Sequence, residues 1–122
     1  MSEKILVVDD SGLARRRVRG ILEEAGYEVV EAEDGMAALE RYHVDRPDLV
    51  VLDLVMKGMY GMDVLGKLRE IDGFARVIVA SADVQSSSHE MAAQAGAAGF
   101  VTKPIDADQL LTLVRSTLGS EK

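Results

Sequence analysis

The chain has no cysteine and no tryptophan. Without thiols, disulfides and thiolate-held metal sites are excluded. Basic residues are the minority, 14 Lys and Arg against 21 Asp and Glu, and the net charge of -7 has the wrong sign for tracking a phosphate backbone. Direct DNA binding is therefore not expected. Long apolar runs are missing as well. Leu49 to Leu52 and Val77 to Ala80 fall far short of the ~20 residues of a bilayer span, which argues against membrane insertion. Met1-Ser2-Glu3-Lys4 leads into the first strand with neither an h-region nor an Arg/Ser-rich leader, so a cytoplasmic protein is expected. What is present is 122 residues, 48% of them apolar, enough for one domain that buries roughly two-thirds of its unfolded surface. A second, output-bearing domain does not fit.

Four short β-rich stretches stand out: Ile5 to Val8, Leu49 to Leu52, Val77 to Ala80, and Phe100-Val101. Strands of a parallel sheet are covered by helices on both faces and read as continuous apolar runs rather than alternating ones. Tyr27 to Glu31 does alternate, as an edge strand would. Between the runs the period becomes helical, with Ala14, Val18, Ile21, Leu22 and Ala25 on one stripe ended by Gly26. Asp34-Gly35 opens a second helix toward Tyr42, and Val64, Leu65, Leu68 and Ile71 stripe a third after Gly61. Ser86 to Ser88 offer hydroxyl caps for an Ala-rich fourth ending near Gly96, and a fifth runs from Asp106 through Leu118. Strand and helix alternate five times, which predicts an α/β, doubly wound parallel sheet with helices on both faces.

Ligands of such sheets bind beyond the carboxyl ends of the strands. There lie Asp9 and Asp10 after the first strand, Asp53 at the end of the third, Ser81 after the fourth, and Lys103-Pro104 after the fifth. Taken singly, each has a plain structural explanation. Asp9 and Asp10 read as helix caps, and Ser81 as a group satisfying the backbone. Asp53 fits such an explanation less well, because it sits inside Val51-Leu52-Asp53-Leu54-Val55, where an unpaired charge is expensive. Together, three carboxylates are tolerable only if cations answer them. Lys103 supplies one positive charge, and a divalent cation would supply two more. Oxygen ligands without His or Cys select Mg²⁺, or Mn²⁺, in a phosphoryl-transfer site. An aspartate can there be the nucleophile, and Asp53 is the candidate because it comes from a central strand.

Val7-Val8-Asp9-Asp10-Ser11, Asp53-Leu54-Val55-Met56 with Gly58 and Gly61, Ser81-Ala82, and Phe100-Val101-Thr102-Lys103-Pro104 occur in this order. From Lys4 to about Leu118 the sequence resembles the receiver domain of two-component response regulators, chiefly stand-alone, chemotaxis-type receivers. The resemblance implies a flavodoxin-like sheet of order 2-1-3-4-5 with five helices. It also implies Asp53 as phospho-acceptor and a Mg²⁺ site made by Asp10 directly, Asp9 largely through water, Asp53, and the carbonyl of Val55. Ser81 and Lys103 would each bond a phosphoryl oxygen, Phe100 would be the aromatic switch, and the Lys103-Pro104 bond would be cis. A histidine kinase or histidine phosphotransfer protein would donate the group, and a downstream protein would read it. Two positions depart from the family pattern: Lys57 replaces a common Pro, and Tyr60 a common acidic residue.

The run Arg15-Arg16-Arg17 with Arg19 is either a solvated helix face or part of a donor-docking surface. His43 and His89 lack partners at metal spacing and read as surface residues. Met56, Met59, Met62 and Met91 read as packing. A dehalogenase-type hydrolase would need an acid/base carboxylate two residues after its nucleophile, where Val55 stands. Few aromatics and an acidic crevice suit an anionic flavin poorly. A phosphorelay intermediate and a phosphorylation-independent binding module are the remaining alternatives. The second usually lacks the acidic pair, the acceptor or the Lys, and all are present here.

Overall fold

A computed structural model describes residues 3–54, 60–82 and 86–119, the side chains of residues 86–89 excepted. The apolar runs become strands and the striped segments helices, in the order β1 (Lys4–Val8), α1 (Gly12–Glu24), β2 (Glu28–Ala32), α2 (Gly35–Asp45), β3 (Leu49–Asp53), α3 (Gly61–Ile71), β4 (Val77–Ser81), α4 (Ser86–Gln94), β5 (Gly99–Thr102) and α5 (Ala107–Gly119). The five strands are all parallel in the order β2-β1-β3-β4-β5. This is the expected doubly wound α/β sheet.

Strand periodicity divides the core in two. Leu6, Val8, Val50, Leu52, Val77 and Val79 pack with Ala38 and Tyr42 of α2, Val64, Leu65 and Leu68 of α3, and Ala92 of α4. Ile5, Val7, Leu49, Val51, Ile78 and Ala80 pack with Val18 and Leu22 of α1 and Leu110, Val114 and Leu118 of α5. Every residue of β3 and β4 is buried, which is why their sequences do not alternate. The edge strand β2 is only partly buried. It runs to Ala32, one residue beyond the expected Glu31, because its pairing with β1 continues to Val8 and Ala32.

The helix ends explain where the chain turns. Asp34 Oδ1 accepts from the Ala37 amide at 2.8 Å and Asp106 Oδ1 from the Gln109 amide at 3.1 Å, so both helices open as expected. α1 differs. Its cap is Ser11, whose hydroxyl accepts from the Ala14 amide at 3.2 Å, not Asp9 or Asp10. α4 begins at Ser86 itself, so the three serines lie in its first turn and the cap position, residue 85, is outside the described residues. Gly26 (φ +98°) and Gly96 (φ +100°) end α1 and α4. In both, paired amides close back onto the last turn, Tyr27 to the Leu22 carbonyl and Ala97 to the Ala92 carbonyl, the arrangement that favours glycine at its left-handed position.

Candidate functional site

Asp53 is the last residue of β3 and Ser81 the last of β4, while Asp9 directly follows β1 and Lys103 directly follows β5. The parallel register therefore delivers all four to the carboxyl edge of the sheet. Asp9 and Asp53 are each 5% exposed, and Asp10 is exposed. One carboxylate oxygen from each of the three lies within 4.8 Å of the others. Lys103 Nζ is 3.0 Å from Asp9 Oδ2 and 3.3 Å from Asp53 Oδ1. Burial pulls the Lys103 ammonium down. The hydrogen bond to Asp9 and the charges of Asp53 and Asp9 outweigh it, and the group is held above the ordinary lysine range.

Asp9 is fixed through all of its polar atoms. Its amide donates to the Ala32 carbonyl at 3.2 Å, and its carbonyl accepts from Arg15 Nη1 at 2.7 Å. Oδ1 accepts from the Ser11 amide at 2.9 Å and Oδ2 from Lys103. Two of these bonds hold the Asp9 carboxylate in place beside those of Asp10 and Asp53. The donor set is all oxygen, and among the described residues one ammonium faces three carboxylates. That excess of negative charge fits a hard divalent cation such as Mg²⁺. The carbonyl of Val55, and Lys57, lie outside the described residues.

Ser81 is 1% exposed, and its carbonyl accepts from the Lys103 amide at 2.9 Å, tying the end of β4 to the lysine turn. The Lys103-Pro104 bond is cis. Phe100 is not at the rim. It is half-buried, packed against the core on the side of α2, α3 and α4, paired with Val79, and it borders an open groove with Asp106, Gln109 and Leu113. Gly61 approaches the end of β3 so closely that a Cβ would lie 2.6 Å from the Asp53 carbonyl oxygen and 2.5 Å from Leu54 Cα.

The basic run of α1 is split. Arg15 and Arg19 pair with Glu31, Arg17 Nη1 donates to the Ile105 carbonyl at 2.7 Å, and Arg16 is exposed. Glu31 was not singled out by its sequence. It shares the α1-facing side of β2 with Val29, a two-residue period that could have pointed to it. Beside the acidic rim a cavity of about 330 Å³ runs between α1 and the β5–α5 turn, with Leu13, Ala14, Pro104 and Ile105 among its walls. Leu13 is 75% exposed. His43 is exposed, and the His89 side chain lies outside the described residues. Among the described residues no helix is long and apolar enough to cross a membrane.

Residues 5–115 match the family model for the response regulator receiver domain. The chain belongs to that family. It is 43% identical over 119 residues to the chemotaxis protein CheY of Bacillus subtilis, covering 97% of this chain and 99% of the relative. It is 34% identical to sporulation initiation phosphotransferase F of the same organism, over 97% of this chain and 95% of that one. A solved complex of CheX, CheY, BeF₃ and Mg²⁺ from Borrelia burgdorferi contains a chain that is 32% identical, with a TM-score of 0.89, covering 93% of this receiver and 87% of that chain. The family match and the likeness to CheY make this a signalling receiver.

Proposed function

We propose that this receiver takes a phosphoryl group on Asp53 from a histidine kinase or histidine phosphotransfer protein and thereby changes its affinity for a downstream protein. The observation that carries the reading is the convergence of Asp9, Asp10 and Asp53 around the Lys103 ammonium. Asp10 and Asp53, with the Val55 carbonyl, would hold Mg²⁺ or Mn²⁺, and Asp9 would orient the set. When bound, the cation supplies charge neutralisation at the phosphoryl oxygens. A CheY relative has been crystallised with Mg²⁺ and BeF₃, which supports that choice.

In the transfer, an Asp53 carboxylate oxygen attacks phosphorus, a P–O bond forms, and the P–N bond of the donor phosphohistidine breaks with its electron pair returning to the imidazole. Lys103 neutralises one phosphoryl oxygen and the Ser81 hydroxyl donates to another. Hydrolysis of the acyl phosphate later resets the site. The donor's apolar surface is accommodated at the cavity beside the rim, where Leu13 is exposed on the first turn of α1. A relay role, in which Asp53 passes its phosphoryl group to a second histidine, is the alternative that the likeness to sporulation initiation phosphotransferase F favours.

The test is incubation with a small phosphodonor and Mg²⁺, read by intact mass. One base-labile phosphoryl group per chain is expected on the unmodified protein and none on Asp53→Asn. Stoichiometric labelling of Asp53→Asn overturns the assignment, and labelling undiminished by chelation removes the cation from it.

A further inference from the structure

Arg15, on the first turn of α1, reaches in two directions. Nη1 donates to the main-chain carbonyl of Asp9 at 2.7 Å, and Nε donates to Glu31 Oε1 at 2.9 Å. The second Glu31 oxygen accepts from Arg19 Nη1 at 2.6 Å. The Asp9 amide already donates to Ala32, so the loop carrying Asp9 and Asp10 is tied to the end of β2 twice, once by main chain and once through Arg15 and Glu31. Side-chain exposures of 17% for Arg15 and 23% for Glu31 keep this pair partly shielded from solvent and salt.

The target of Arg15 is the unusual part. A guanidinium bonds most strongly to a carboxylate, and Arg15 makes that bond with Glu31 while its other arm takes the main-chain carbonyl of Asp9. It thus holds the backbone between Asp9 and Asp10 while its ion pair is made with Glu31. Asp10 is exposed and sits on a loop of three residues between β1 and α1. A cation ligand in such a loop binds well only if the loop is already held in place.

We propose that Arg15, locked by Glu31, is a positioning residue for the cation site, holding the Asp9 carbonyl so that the Asp10 carboxylate stays beside Asp53. The inference rests on the cation site proposed above. Its sign separates it from simple electrostatics. Removing a positive charge near an acidic site should tighten cation binding by Coulomb attraction alone, whereas removing a positioning residue should weaken it.

Mg²⁺ titration calorimetry on the full chain, with the Asp10 amide followed by NMR and a urea midpoint measured for each variant, tests this. Arg15→Ala should raise the Mg²⁺ Kd about 3- to 10-fold, at the low end for an outer-shell partner because the pair is part-exposed. Arg15→Lys, which keeps the charge but not the planar fork, should recover only part of the affinity. Glu31→Gln, which keeps the fold's shape and loosens the lock, should weaken binding by a smaller factor. An unmodified chain that binds no Mg²⁺ overturns the cation site itself. If that chain binds and Arg15→Ala binds equally well or more tightly, the positioning role is wrong; a shifted urea midpoint with unchanged Kd likewise assigns Arg15 to stability alone.

Discussion

Asp72, at the end of α3, accepts from the Tyr42 hydroxyl at 2.8 Å and from the Phe74 amide at 2.9 Å. The Phe74 amide and then Tyr42 hold its carboxyl below the usual carboxylate range, while burial and Asp72 push the Tyr42 hydroxyl up to about 12. A depressed carboxylate contributes stability above its unfolded pKa of about 3.9 and loses it as pH falls through the folded value. Tyr42→Phe should therefore cost about 1 kcal/mol near neutrality, and the gap between the two proteins should close below about pH 4, as urea midpoints across pH would show. A gap that stays constant as pH falls well below about 4 would assign the loss to packing. Lys103 provides the second prediction at this scale. Its ammonium bonds Asp9 and Asp53 directly, so Lys103→Ala should still accept a phosphoryl group but fail to convert it into tighter partner binding, and full coupling in that variant would remove Lys103 from the signal. The charged residues at strand ends were legible as a group because strand ends share one rim. Arg15 and Glu31 were not, since a basic run on a helix looks the same whether it is solvated or tied to a carbonyl.

At the scale of elements, α3 starts against the end of β3, the strand that carries Asp53. The Gly61 amide donates to the Leu54 carbonyl at 2.9 Å, and a Cβ at Gly61 would fall within 3 Å of three backbone atoms of Asp53 and Leu54. Backbone cannot yield as a flexible side chain can, so Gly61→Ala should cost about 1 to 3 kcal/mol, the usual range for overpacking, and should also slow labelling of Asp53 by a small phosphodonor. Gly26→Ala is the control. Nothing lies within 4 Å of its would-be Cβ, so its loss, about 1 kcal/mol from the left-handed backbone alone, should leave labelling unchanged. Normal labelling by Gly61→Ala would show that the strand absorbs the strain. The elements themselves were readable for a physical reason: β3 and β4 are buried on both faces and so are apolar throughout, and helix stripes carry the 3.6-residue period. Less readable was the cap of α1. Asp9, Asp10 and Ser11 are all good capping residues, and only the folded loop assigns the cap to Ser11, because both Asp9 carboxylate oxygens are already taken.

At the scale of the whole molecule, the rim and the distal edge of the sheet are joined through β4 and β5. Ser81 pairs with Thr102 and Val79 with Phe100, and the Ser81 carbonyl holds the Lys103 amide. Phosphorylation would exchange the Asp53 carboxylate for a group of about -1.5 to -2 charge with additional acceptor oxygens, giving the Ser81 hydroxyl a strong partner. If Ser81 moves toward it, space opens beside β5, and the half-buried Phe100 ring turns further inward, reshaping the groove it forms with Asp106, Gln109 and Leu113 of the β5–α5 region. The phosphoryl group can shift this equilibrium only by binding one state more tightly than the other, so some inward Phe100 exists before phosphorylation. Phe carries no hydroxyl to hydrogen-bond outside, and its inward population should exceed that of Phe100→Tyr. Ring resonances of the unphosphorylated proteins should report that difference, and structures with and without beryllofluoride and Mg²⁺ should show Ser81 and Phe100 moving together. Ser81 closing on the ligand while Phe100 and the α4–β5–α5 face stay fixed would break the coupling, because it would then not pass from Asp53 through the Ser81–Thr102 and Val79–Phe100 pairs to the groove.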